Sequence, residues 1–299
     1  MYVITGATGN TGSGIAEALL ARGEKVRVVG RTAEKLERFV QKGAEALSAD
    51  LGDEAALARA FAGAKAVYVM IPPYPTAEDW REQQERQSDA LAAALQKAGA
   101  TYAVTLSSVG ADKAEKVGPV NGLHALEEKL NRIAGLNVLH LRAGYFMENL
   151  LQYVGLIKTM GMLAGTLRSD LPIAMIATRD ISAVATDELS KSGFSGKQTR
   201  ELLGSRDVTM HEAATIIGNA IGRKLSYTQL PAMMVKPAML QMGLSSQAAG
   251  MLLEMMESMN TGWMKALEAR SARTNTPTTL ETFAADVFVP AYQGRAAGA

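Results

Sequence analysis

The chain has 299 residues, with 31 Lys+Arg against 30 Asp+Glu for a net charge of +1, and it contains no cysteine. That length suits one large α/β domain carrying a smaller lobe, or two domains sharing a cleft. The balanced charge offers no basic field for nucleic acid or an anionic membrane, and without cysteine there is no disulfide framework, thiolate metal site or catalytic thiol. No signal-peptide pattern opens the chain and no apolar run reaches membrane-spanning length, so a cytoplasmic protein acting on a small molecule, without membrane insertion, is expected.

In chain order, residues 2–5 read as a short apolar strand. From Ser13, the residues Ile15, Leu19 and Leu20 recur at helical spacing until Gly23. A second strand covers 25–30, a helix about 33–42 and a third strand 44–48. A helix over 54–61 then precedes a fully apolar strand at 66–71. The alternation continues with helix 77–98, strand 102–107, helix 123–133 and strand 137–143. Apolar runs separated by helices predict a doubly wound parallel sheet, the Rossmann arrangement, covered on both faces.

After Tyr145 the rhythm loosens at Gly155, Gly161 and Gly165, until strand 173–176 and helix 180–189 restore it. The expected division is a dinucleotide-binding domain over 1–150, to which 173–204 returns, and a smaller, mainly helical substrate lobe built from 151–172 and 205–299. Nine of the 16 methionines fall between Met233 and Met264, among helices broken by Pro237, Gly243 and Gly250; they suit an adaptable apolar pocket or a core or interface filler. The tail from Gly294 carries no ordering signal.

The stretch "ITGATGNTGSG" from Ile4 spaces Gly6, Gly9 and Gly12 by three, after a strand and at the start of a helix. In the first two positions a side chain would block the backbone from a pyrophosphate; in the third it would hold the helix off the sheet. With Thr8, Asn10 and Thr11 between them, these residues form a candidate dinucleotide site whose helix amides face the anion. The second strand ends in "VRVVGRTAEK", where Arg31 stands in place of the acid that binds the ribose 2′-hydroxyl of NAD. Arg31, with Thr32 and Lys35 close by, favours a 2′-phosphate and hence NADP(H). Asp50 and Leu51 in "SADLGD" sit where the adenine would lie, and Ile71, Pro72 and Pro73 end the fourth strand along the ribose and pyrophosphate.

The segments "TGATGNTG", "LSSVGA" from Leu106, "HALEEKL" from His124 and "LRAGYFMENL" from Leu141, in that order, resemble the NmrA-like group of atypical short-chain dehydrogenases/reductases over almost the whole chain. The resemblance implies a Rossmann fold, NADP(H) and either NADPH-dependent reduction of a quinone or similar electrophilic carbonyl, or redox sensing without turnover. The resemblance also implies a contrast, because the classical members of the wider superfamily use a Tyr-x-x-x-Lys pair. Here no tyrosine has lysine four residues later; Lys129 stands where such a lysine belongs, but Ala125 fills the tyrosine position. Alcohol dehydrogenation and sugar epimerisation, which move a proton off a poorly acidic hydroxyl, are therefore disfavoured. A quinone asks less, because hydride addition leaves a resonance-stabilised phenolate.

Lys129 is the leading catalytic candidate, binding the nicotinamide ribose or stabilising the oxyanion; the alternative is a surface lysine flanking the apolar face of Leu123, Leu126, Leu130 and Ile133. Ser107 and Ser108, ending the fifth strand, are placed beside the nicotinamide unless they hydrogen-bond locally. His124, one turn before Glu128, either makes a structural hydrogen bond or reaches the substrate. Tyr145, Phe146 and Asn149 after the sixth strand, with Trp80 and Tyr74 after the fourth, are candidate substrate walls. His140 and His211 lack ligand spacing, so no metal is expected. A homodimer is left open.

Overall fold

The computed structural model describes residues 1–295, so most of the tail from Gly294 lies outside the described residues. Strand β1 (Tyr2–Thr5) is buried throughout and splits its side chains between two cores, Tyr2 and Ile4 to one face and Val3 to the other. Helix α1 (Asn10–Ala21), β2 (Val26–Gly30), α2 (Ala33–Val40), β3 (Glu45–Ser48), α3 (Glu54–Phe61), β4 (Ala66–Val69), α4 (Trp80–Ala98), β5 (Tyr102–Ser108), α5 (Val120–Asn131) and β6 (Asn137–Ala143) follow in strict alternation. Next come β7 (Tyr145–Phe146), α6 (Val154–Met160), β8 (Leu163–Gly165), β9 (Ile173–Ile176), α7 (Thr178–Lys191) and β10 (Lys197–Leu202).

Seven of these strands form one parallel sheet in the order β3-β2-β1-β4-β5-β6-β10. The direction of winding reverses between β1 and β4, so a crevice opens at the carboxyl ends of those strands. One face is covered by α1, α2 and α7, whose Ile15, Leu19, Leu36, Phe39, Ile181 and Leu189 join the first core. The other is covered by α3, α4 and α5 through Leu57, Phe61, Leu91, Leu95, Leu126 and Leu130. Helix α4 begins at Trp80 rather than at residue 77 because the Asp79 carboxylate caps it, accepting from the Glu82 amide at 2.9 Å.

Two strands depart from the sequence pattern. Residues 173–176 form the expected strand, yet β9 does not rejoin the central sheet; it pairs in parallel with β7 and antiparallel with β11 (Asp207–Val208). The strand that does join, β10, has the sequence KQTREL, and its first three residues are exposed. At a sheet edge one side of the strand faces solvent, so no apolar run is needed and none is present.

The chain continues through α8 (Met210–Ile221), β12 (Tyr227–Gln229), α9 (Ala232–Gln241) and α10 (Ser246–Asn260) to a short helical stretch over 280–292. A third core joins α8 and the 280–292 stretch to α6 and β9 through Leu150, Ile157, Met175, Met210, Ile217, Phe283 and Phe288. Between α10 and residue 280 the backbone runs as an irregular strap along the β10 edge. The Glu201 carboxylate accepts from the amides of Leu267 at 2.9 Å and Glu268 at 2.7 Å, and the Leu203 amide donates to the Thr274 carbonyl at 2.8 Å. Among the described residues no helix is long and apolar enough to cross a membrane.

Candidate functional site

The chain leaves β1 through Gly6, whose φ of +61° is the left-handed conformation glycine adopts without strain. A Cβ on Gly12 would lie 2.3 Å from the Gly6 carbonyl oxygen, so only glycine lets α1 come this close to the turn. Gly9 differs. Its φ is −88°, and the nearest protein atom to a Cβ there is 3.4 Å away, an ordinary contact. The protein itself does not demand glycine at this position, and the open space lies beside exposed Thr8 and Asn10. No side chain caps α1 and no acid occupies its first turn, so its leading amides remain available to an anion. Thr11 is buried beneath the turn, its hydroxyl oxygen accepting from Tyr68 at 3.0 Å and its carbonyl from Ser182 at 3.0 Å. These residues fit a pyrophosphate.

Arg31 follows β2, exposed, with its guanidinium 5.3 Å from the centre of the Tyr74 ring. Thr32 makes no capping hydrogen bond, and Lys35 is exposed one turn along α2. The Asp50 carboxylate accepts from the Gly52 amide at 2.8 Å and Arg86 at 3.3 Å, while Leu51 is buried in the core. Tyr74 is therefore a neighbour of Arg31 and not a wall of the substrate cavity; its hydroxyl accepts from Gln87 at 2.8 Å.

A cavity of about 530 Å³ opens over the carboxyl ends of β4, β5 and β6. Met70, Ile71, Pro72 and Pro73 border it after β4, Leu106, Ser107, Ser108 and Val109 at β5, and Gly144, Tyr145, Phe146 and Asn149 after β6. Trp80, Gln84 and Leu123 form a side, and Leu252, Met255, Met259 and Met264 close the top. The methionine-rich segment thus divides. Those three methionines face the cavity, Met251 packs against Trp80, and Met233, Met234 and Met242 are exposed.

Both serines have committed their protons. Ser107 donates to the Glu127 carboxylate at 2.5 Å, and Ser108 to the Val109 carbonyl at 2.9 Å. Towards the cavity they can only accept. Glu127 is itself buried and held by Arg142 through bonds of 3.0 and 2.6 Å. Burial alone would lower the pKa of that guanidinium, but the bonds to Glu127 outweigh it and hold the value above the usual range. Burial likewise pushes the Tyr145 phenol well above its ordinary pKa, with Tyr153 and Tyr227 adding to the effect. Tyr145 remains a neutral hydroxyl at physiological pH.

Two catalytic candidates lie elsewhere. Lys129 does not line the cavity: its ammonium sits between Glu85 and Asp89 of α4, 2.6 Å from each. Burial would lower its pKa, yet the bonds to Asp89 and Glu85 prevail and keep it raised. The packing of α5 on α4 turns this flank of the helix towards carboxylates instead of the crevice. His124 also stands off the cavity, donating from Nδ1 to the Ala111 carbonyl at 2.8 Å, a structural bond to the loop after β5 and not to Glu128. The Ser107–Glu127–Arg142 network escaped the sequence pattern. Its available signal was the spacing of Glu127, four residues from Leu123 and three from Leu130, which puts a carboxylate on the apolar face of α5. Gln84, Asp207 and Lys265 also border the cavity, brought there from distant parts of the chain.

The reversing parallel sheet, the glycine turn and the cavity beside it define a dinucleotide-binding α/β protein of the Rossmann class. Over residues 2–284 the chain matches the NmrA-like family, and it belongs to that family. Quinone oxidoreductase 2 of Escherichia coli (strain K12) is 27% identical over 256 residues, 85% of this chain and 86% of that one. The NAD(P)H azoreductase of Xenophilus azovorans is 26% identical over 255 residues, again 85% and 86% of the two chains. Among solved structures, the Escherichia coli NADPH-dependent quinone oxidoreductase complexed with NADPH superposes with a TM-score of 0.77, covering 100% of this chain and 96% of the other at 22% identity. Triphenylmethane reductase of Citrobacter sp. complexed with NADP(H) gives 0.78, covering 95% and 99% at 18% identity. These structural likenesses establish the shared fold.

Proposed function

We propose that this protein is an NADPH-dependent oxidoreductase that passes hydride to a quinone or a similar electrophilic acceptor. The observation that carries the proposal is that the carboxyl edge of one parallel sheet bears three features: the amide-rich turn at Gly6 to Gly12, the acid-free strand end at Arg31, and a largely apolar cavity over β4 to β6. The quinone, azo and dye reductases among the similar proteins support the same chemistry.

When bound, NADPH supplies the hydride. The leading amides of α1 would hold its pyrophosphate, and Arg31, with Lys35 one turn on, its 2′-phosphate. Ser107 and Ser108 would accept hydrogen bonds from the carboxamide, since their own protons are engaged. Leu106, Phe146, Met255 and Met259 exclude water and present apolar faces to a flat acceptor. Asn149 offers an amide N–H to its oxygen. Reducing a quinone to the hydroquinone takes one hydride and one proton, and oxidises NADPH to NADP+. The proton comes from water; the phenolate is stable enough to wait for it, so no acid of the Tyr-x-x-x-Lys kind is required.

The test is NADPH consumption by the purified protein against a panel of quinones and simple aldehydes, with NADH in parallel. Quinone-dependent, NADPH-selective turnover is expected. Arg31→Asp should weaken NADPH binding at least about tenfold more than NADH binding, the scale of one lost charge-assisted bond. Equal losses for the two dinucleotides would remove the 2′-phosphate from Arg31. NADPH that binds but is never consumed would sink the reductase and leave a redox sensor.

A further inference from the structure

The cavity wall carries two charged side chains, Asp207 and Lys265. Asp207 is neutralised by Arg270, which also donates to the carbonyls of Leu203 and Gly204 at 3.0 Å each. Lys265 makes no hydrogen bond or ion pair with any described residue. It is the exception on its strap, where Glu268 pairs with Arg273 at 2.6 Å and Arg270 with Asp207.

The strap is anchored on both sides of this lysine. On one side, Trp263 donates to the Glu115 carbonyl at 3.3 Å and lies 4.8 Å from the Lys113 ammonium, and Met264 packs over Gly110, where a Cβ would meet its Cγ at 2.6 Å. On the other, the buried Glu201 carboxylate grips the amides of Leu267 and Glu268. The backbone of Lys265 is thus fixed over the cavity rather than free to swing away. The backbone on either side of this lysine is pinned, while its side chain is exposed, unpaired among the described residues and at the edge of a largely apolar cavity, where an anion on a ligand would complement it.

Building on the reductase reading, we propose that Lys265 is a specificity-determining anion contact, and that the acceptor substrate is a conjugated carbonyl bearing a negatively charged substituent such as a sulfonate, carboxylate or phosphate. The apolar body lies among Leu106, Phe146, Met255 and Met259, and the charged group points out to the strap. Substrates without the charge lose this contact.

The test compares kcat/KM for 1,4-naphthoquinone-2-sulfonate and for 2-methyl-1,4-naphthoquinone with NADPH, in the full chain and in Lys265→Met and Lys265→Glu. Taking each variant relative to wild type cancels the different potentials of the two quinones. In Lys265→Met the sulfonate should lose about three- to tenfold more kcat/KM than the neutral quinone, through KM, and Lys265→Glu should lose more. Added salt should narrow the gap. Equal changes for both quinones would overturn the proposal. So would a weakened NADPH affinity with an unchanged quinone ratio, which would move Lys265 to a cofactor phosphate. If wild type oxidises NADPH with neither quinone, the reductase reading fails on its own account. Binding of 8-anilino-1-naphthalenesulfonate, followed by fluorescence, then decides the anion contact: weaker binding by Lys265→Met upholds it, and identical affinities overturn it.

Discussion

Two glycines of one turn should differ in stability, though not in loss of binding, when each gains the same methyl group. At Gly9 the backbone angles are those alanine adopts, and the nearest protein atom to the new Cβ is 3.4 Å away. Losing glycine at this cap and gaining a less flexible unfolded chain nearly offset, so Gly9→Ala should keep stability within about 1 kcal/mol. The methyl group would occupy the space through which a phosphate, on the proposed reading, would reach the α1 amides. Forfeiting one or two charge-assisted bonds, each worth about 1.5–3 kcal/mol, raises the NADPH dissociation constant at least about tenfold. At Gly12 the Cβ would lie 2.3 Å from the Gly6 carbonyl oxygen, where ordinary contact starts at 3.4 Å. Both are backbone-anchored atoms, so relief requires moving α1 off the turn, at a cost of about 1–3 kcal/mol or more. Urea denaturation without ligand and a fluorescence titration with NADPH separate the two effects. Gly9→Ala should fold like wild type and bind poorly, whereas Gly12→Ala should lose both. Wild-type NADPH affinity in Gly9→Ala would refute the assignment of this turn to the pyrophosphate.

His140, buried in β6, accepts from the Thr105 hydroxyl at Nδ1 (2.8 Å) and donates from Nε2 to Asn131 (3.1 Å), and burial pushes its pKa down to about 4. A folded-state value below that of the unfolded chain means stability is complete above about pH 6.5 and lost as pH falls from there towards 4, by up to about 3 kcal/mol. Urea midpoints across this window should show the decline, and His140→Gln should flatten it; an unaltered slope in the variant would put its origin elsewhere. For Lys129→Met, the partners Glu85 and Asp89 have side chains 59% and 64% exposed, so the loss of stability should be about 1 kcal/mol or less. Turnover should stay within about twofold, and an about tenfold fall with NADPH affinity intact would return this lysine to the chemistry.

The central sheet was legible because its signals are local. Buried parallel strands read as apolar runs a few residues long, and the glycine turn lies within seven residues, Gly6 to Gly12. Strand β10 was not legible, because an edge strand with exposed Lys197, Gln198 and Thr199 has no apolar run to read. Strand β9 was recognised but assigned to the wrong sheet: four apolar residues specify a strand without naming its neighbour. Within the site, Ile71, Pro72, Ser107, Ser108, Tyr145, Phe146 and Asn149 border the cavity, since each ends or follows a strand whose carboxyl end faces it. Tyr74, His124 and Lys129 lie off it: side chains of other elements hold Tyr74 and Lys129, and the Ala111 carbonyl holds His124.

By itself, then, the amino-acid sequence determined the doubly wound sheet, the glycine-rich turn that opens α1 and the arginine standing in place of an acid after β2. All three depend on backbone geometry and periodicity within single elements. Only the tertiary structure decided which side chains are free. Lys129 is held by carboxylates 40 and 44 positions earlier, the Ser107 proton goes to Glu127, and Lys265 reaches the cavity on a strap tied down by Glu201. Periodicity records which face of a helix or strand is buried. A charge's partner is fixed by which elements the fold packs together, and that information is spread over the whole chain.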